Sequence, residues 1–244
     1  MILDIYKDSF EYSAKDLKTL LILGVTYFLT FLVLPLFLVY GYSYRVTKVS
    51  VEGMINGNDP LPEFDNVIDM FVDGIKVVIT YVAYILIPFI IFFLFAVGAN
   101  AVGGYGESVL MAIGILITVV LTIAAYIMSM FGVANMANYG DSFSKAFDIN
   151  EIIEIIKSIG VARTVGAFLG MLIITGAICL IVFLLIWFVF GFFGIITGIL
   201  GFNMAAGGIF AAGFILSYFV MLLIVGPYTL IYQSRTTGLL YSLH

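Results

Sequence analysis

The sequence predicts an all-α integral membrane protein. It has four full transmembrane helices, an N-terminal membrane hairpin or fifth span, and amphipathic interfacial helices on the cytoplasmic face. Three observations predict this. Of the 244 residues, 63% are hydrophobic and 10% are charged, with a mean hydropathy of +1.20. Soluble domains carry about 25% charge and about 45–50% apolar residues. The charges are also gathered: 24 of 25 lie in 1–18, 41–76 and 134–164 or at Arg235, and Glu107 is the exception. Finally, the apolar runs between those stretches reach the roughly 20 residues that a helix needs to cross a bilayer.

The elements follow in order. In residues 1–18, Ile2, Leu3, Tyr6, Phe10, Ala14 and Leu17 share one helical face, which suits a helix lying in the membrane interface. Residues 19–40 are apolar and contain Pro35. They either cross once, as a fifth span, or enter and return as a hairpin bent near Leu32–Pro35. At about 1.5 Å per residue the run gives one crossing or two half-depth arms, and an interior proline favours a break.

Lysine and arginine set the orientation. Segment 41–76 holds Arg45, Lys48 and Lys76, segment 134–164 holds Lys145, Lys157 and Arg163, and the tail holds Arg235. Segments 98–107 and 191–208 hold none. Four spans with the first three regions in the cytoplasm satisfy every loop. Lys7, Lys15 and Lys18 then place the N-terminus in the cytoplasm too, which only the hairpin allows.

Segment 41–76 ends in an amphipathic stretch. Val67, Ile68, Phe71, Val72 and Ile75 form one face, and Asp65, Asp69 and Asp73 the other. A helix pair occupies 77–133. In 134–164, Ile149, Ile152, Ile153, Ile156 and Ile159 oppose Asn150, Glu151, Glu154 and Lys157, and Asp148 with Glu151 reads as a capping box. A second helix pair and a short tail fill 165–244, with the glycine-rich 191–208 read as a connection. The chain is one membrane domain, 1–244. Phe10-Glu11, Phe64-Asp65 and Phe147-Asp148 each precede an amphipathic segment that leads into membrane, a weak threefold repeat.

Composition excludes several functions. The net charge of −5 argues against nucleic acid. One cysteine, Cys179, and one histidine, His244, leave no disulfide framework, no thiolate or multi-histidine metal site, and no histidine catalysis. No cofactor is expected and no cleavable signal peptide is evident. No ionisable residue sits in mid-span, which argues against an ion-coupled transporter. No serine–lysine or paired-aspartate arrangement suits an intramembrane hydrolase, so an enzyme is not expected.

The candidate sites are modest. Asp65, Asp69 and Asp73, spaced one turn apart, form an acidic face for a basic protein partner in the cytoplasm. As a metal site they are weaker, because carboxylates one turn apart point along a helix rather than around an ion. The plain alternative is a solvated helix face. Arg45 and Lys48, beside Tyr40, Tyr42 and Tyr44, are candidate contacts for lipid phosphate, or simply the snorkelling end of an aromatic belt. Gly166/Gly170 and Gly194/Gly198 suit close helix packing, within the chain or in a homo-oligomer.

At Gly41-Tyr42, Arg45-Val46, Glu52-Gly53, Leu61-Pro62, Phe64-Asp65 and Asp73-Gly74, with a span opening at Lys76, the chain resembles an uncharacterised, mainly archaeal family of multi-pass membrane proteins. Lys145-Ala146-Phe147-Asp148 and Gly226-Pro227-Tyr228 are similar as well. The resemblance implies a cell-membrane location and an all-helical fold, and it carries over no catalytic residue. The expected function is a non-enzymatic scaffold or accessory protein that organises partners or membrane lipids. A carrier or permease for a lipid or other apolar solute is the alternative.

Overall fold

The computed structural model describes all residues, Met1–His244, and contains nine α-helices and no strands. They are α1 (Ile2–Ser13), α2 (Leu17–Phe28), α3 (Leu34–Glu52), α4 (Val67–Val102), α5 (Gly104–Asn138), α6 (Ile149–Ile159), α7 (Val161–Ile199), α8 (Asn203–Val220) and α9 (Gly226–Tyr241). A π-turn at Met221–Val225 joins α8 to α9, so the two run as one rod of 39 residues. That rod, α4, α5 and α7 are the four helices long and apolar enough to cross a membrane.

These four rods have 35 to 39 residues. At about 1.5 Å per residue each is more than 50 Å long, against a hydrocarbon layer of about 30 Å. The excess lies at one end. On α5 the buried residues run from Ile127 to Ala137, with Gly114 the one exception. On α7 they are Thr164, Ala167, Phe168, Met171 and Gly194. The most apolar stretch of α7 buries nothing against the protein. The molecule therefore has a packed, charged base and, beyond it, lipid-facing helices.

Those helices stand in two pairs. α4 packs along α5 and α7 along α8, while members of different pairs make at most glancing contact. The base joins them: α3 packs on α4, α5 and α9, and α1 lies along α9. Close approach depends on glycine, most tightly at two positions. A Cβ on Gly41 would fall 1.8 Å from the Met70 carbonyl oxygen, and one on Gly74 would fall 1.7 Å from that of Phe37.

Several expectations are redrawn. The amphipathic 65–75 stretch is not a separate helix, because α4 runs unbroken from Val67. Residues 191–208 are not a long connection either. α7 continues to Ile199, and Leu200–Phe202 makes the turn. Gly194 fits against the Phe210 ring and Gly213 against Phe190, so these glycines serve helix pairing within the chain. α1 turns Ile5, Asp8, Ser9 and Tyr12 inward and leaves Leu3 and Phe10 exposed. α6 buries Ile152, Ile155 and Ile159 and leaves Ile149 and Ile153 outside. In both, the face that packs is rotated from the most apolar one.

Between α2 and α3 the chain bends sharply. A short 3-10 turn at Leu29–Leu32 is followed by Val33 at φ 68, and Pro35 opens α3. Positive φ is strained for a β-branched residue. The two ends of this segment meet. Tyr12 Oη donates to the Pro60 carbonyl at 2.9 Å, Lys15 Nζ donates to that of Asp59 at 2.9 Å, and the Asn56 amide donates to Asp8 at 2.6 Å.

The three Phe-acid pairs share one more feature. Each phenylalanine packs on a tyrosine whose hydroxyl donates to a nearby backbone carbonyl. Tyr228 meets Phe10, Tyr42 meets Phe64 and Tyr84 meets Phe147. The accepting carbonyls belong to Phe10, Pro62 and Ala146.

Candidate functional site

The acidic face is not assembled as spaced. Asp65 precedes α4, and Asn66 between them has a left-handed backbone. The Asp65 carboxylate accepts from Arg45 at 2.8 Å. Asp73 pairs with Lys76 at 3.0 Å. Asp69 is exposed and is the one of the three with no ion pair.

The two candidate phosphate contacts are also engaged. Arg45 donates to the Glu63, Asp65 and Asn66 carbonyls as well as to the Asp65 side chain, which fastens the 53–66 loop to α3. Lys48 donates to both oxygens of Asp141, at 2.8 and 2.7 Å, and Tyr44 Oη donates to the same carboxylate. No group of three or more metal-ligating side chains gathers anywhere.

A buried ion cluster lies where sequence reasoning placed only a topology marker. Arg235 on α9 is fully buried. Its Nε donates to Asp8 of α1 at 2.8 Å, and an Nη donates to Asp59 of the 53–66 loop at 2.8 Å. The Tyr12 ring covers the guanidinium at 4.5 Å. The burial of that ring pushes the Tyr12 hydroxyl up to about 12. Gly53 leaves room for the cluster, since a Cβ there would stand 2.9 Å from the guanidinium. A lone cation in an apolar helix signals a buried acid partner; nothing in the sequence selects Asp8 and Asp59 from fifteen acids.

A second network closes the base beside α6. Lys145 pairs with Glu151 at 2.7 Å and with Asp148 at 3.1 Å. Buried Asn135 donates to the Lys145 carbonyl at 2.9 Å and accepts from Tyr241 Oη at 2.6 Å. Asp148 caps α6 through the Glu151 amide, at 3.4 Å. Glu151, however, spends its side chain on Lys145 and Tyr139 rather than returning it to the cap. The hydrogen bond from Lys145, then that from Tyr139, holds the Glu151 carboxyl down at about 2.

The candidate binding site is a half-open cavity of about 250 Å³ enclosed by α2, α3, α4, α5 and α9. Tyr27 of α2, Tyr40, Ser43 and Thr47 of α3, Tyr81 of α4, Tyr126 of α5, and Gln233 and Ser234 of α9 line it. No charged residue does. The rings form a row, with Tyr40 and Tyr81 centroids 5.9 Å apart and Tyr81 and Tyr126 also 5.9 Å apart.

Hydroxyl partners separate this row from eight of the other eleven tyrosines; exposed Tyr105 and Tyr218 and buried Tyr232 also lack one. Eight tyrosines elsewhere donate to a protein oxygen. Tyr27, Tyr40, Tyr81 and Tyr126, all facing the cavity, do not. The Thr47, Thr229, Ser234 and Thr237 hydroxyls donate to their own helix and offer only lone pairs. Gln233 donates to Thr175 of α7 at 3.3 Å, so it touches the second helix pair. Sequence reasoning missed this site. Tyrosines at helical spacing ordinarily mean core, and periodicity does not reveal a void.

No curated protein and no solved structure matches the chain. A family model described as a protein of unknown function, DUF4013, matches residues 25–191, from within α2 to within α7. That is more than two thirds of the 244 residues, and the chain belongs to that family of uncharacterised proteins.

Proposed function

We propose that the protein is a non-enzymatic membrane protein that binds and carries an amphiphile, rather than one that chiefly organises protein partners. One observation supports this above the others. Two helix pairs that barely touch each other share a base that holds an uncharged, hydroxyl-lined cavity. A cavity of about 250 Å³ is small for a whole ligand, since ligand pockets run to roughly 300–1,000 Å³. It suits a head group, with the chains lying between the pairs. The scaffold reading relied on a free acidic face, and two of its three carboxylates are neutralised by Arg45 and Lys76.

In this reading the charged base faces the cytoplasm of the cell that carries the protein, with both termini there. The α2–α3 segment enters the membrane and returns. Its ends meet at Tyr12–Pro60 and Lys15–Asp59, which favours the hairpin over a single crossing. Labelling Lys7→Cys in a Cys179→Ala background with a membrane-impermeant maleimide tests this; reaction in sealed cells would end the hairpin.

Native mass spectrometry after gentle extraction tests the function. A lipid retained on a solitary chain supports the carrier. A protein at fixed stoichiometry, lost on Asp69→Asn, returns the scaffold.

A further inference from the structure

We propose that the cavity receives the uncharged, oxygen-bearing head of a long-chain amphiphile, such as a diacylglycerol or a polyprenol, and rejects phosphate and carboxylate heads. The inference rests on the amphiphile-binding reading and adds the class of ligand.

The first ground is the set of unpartnered hydroxyls. Four half-buried tyrosines from four different helices line one space, and none of their hydroxyls has a protein partner. Each can donate and accept. A hydroxyl or carbonyl head satisfies them in either sense, and the serine and threonine lone pairs along α3 and α9 accept from a hydroxyl head.

The second ground is charge. No lining residue is ionised, and the nearby cations are already bound. Arg45 is held by Asp65, Lys48 by Asp141, Lys76 by Asp73, and Arg235 by Asp8 and Asp59. An anionic head entering here would lose its hydration without gaining a counter-charge. A cationic head would find tyrosine faces but no carboxylate.

The third ground is depth. From the uncharged connection at Gly103, Tyr81 is 22 residues back along α4 and Tyr126 is 23 residues on along α5. At about 1.5 Å per residue both lie about 33 Å from that connection, the thickness of one hydrocarbon layer. The cavity is thus at the inner boundary, where a neutral head sits while its chains extend into the lipid.

The test uses the full-length protein in detergent micelles. Binding of dioleoylglycerol and of a long-chain polyprenol is measured against phosphatidic acid and oleic acid. The variants are Tyr81→Phe/Tyr126→Phe, which keeps both rings, and separately Tyr40→Phe. These hydroxyls bond to nothing in the protein, so the variants should retain the wild-type helical signal and thermal transition.

Saturable binding of the neutral lipids, weakened about tenfold in the double variant and little changed for the acidic lipids, is the expected result. Equal binding of acidic lipids, or neutral binding unaffected by either variant, overturns the head class and leaves amphiphile binding standing. Saturable binding of no lipid at all means a merely hydrated cavity and overturns both.

Discussion

The Arg235 cluster makes the sharpest energetic prediction. Asp8→Ala removes the acceptor for Arg235 Nε at 2.8 Å and for the Asn56 amide at 2.6 Å. Asn56 is exposed, so water replaces the carboxylate at its amide and little is lost there. The Arg235 bond is different, because the arginine is fully buried and Asp8 is 5% exposed. Losing a hydrogen bond to a charged group costs about 1.5–3 kcal/mol. Leaving a buried charge unpaired costs about 3–5 kcal/mol. Asp59 still binds Arg235 at 2.8 Å, so the value belongs at the overlap of those ranges, about 3 kcal/mol. Arg235→Met should cost at least as much, because it strands Asp8.

The diagnostic is the double variant Asp8→Ala/Arg235→Met, which leaves no fully buried charge stranded, since Asp59, which also loses Arg235, is 29% exposed. Unfolding in detergent, followed by far-ultraviolet circular dichroism, should show it at least 2 kcal/mol milder than the sum of the singles. Independent sites add within about 0.5 kcal/mol. A double variant that destabilises by the plain sum would refute the coupling and with it the claim that this pair joins α1 to α9.

Four further outcomes are expected. Gly41→Ala and Gly74→Ala should abolish folded protein, because each Cβ meets a backbone oxygen that cannot swing aside; Gly176→Ala, with open space around it, should leave the unfolding transition unchanged or raised. Tyr84→Phe should cost about 1 kcal/mol by losing its bond to the Ala146 carbonyl while keeping the stack on Phe147. Glu151 titrates at about 2 when folded, below its ordinary value. Its contribution is therefore full above the unfolded carboxyl range and fades as pH falls toward 2; Glu151→Gln should flatten the acid side of a stability–pH curve.

The sequence displays what period and composition encode. Charge clustering separates base from membrane, and the four long apolar runs become the four rods. Asp148 at the start of α6 was legible as a cap. Helix boundaries were less so, for a physical reason. Glycine at 191, 194 and 198 signals a break in water, but α7 runs through all three, and Gly194 admits the Phe210 ring. Likewise, the amphipathic start of α4 looked like a separate helix because the rods are longer than the membrane is thick. Hydropathy reports lipid contact, not the helix end.

The binding face escaped for another reason. An amphipathic helix read alone presents its apolar stripe, yet α1 buries Asp8 and Ser9 and exposes Leu3 and Phe10. What turns it is Arg235, 227 positions away. The same helix α9 carries Gln233, Ser234 and Thr237 to the cavity on its other side. One helix thus anchors the chain's two ends to each other and forms a wall of the site. The base that binds the helix pairs together and the cavity therefore draw on neighbouring residues of one helix, Arg235 for the first and Gln233, Ser234 and Thr237 for the second.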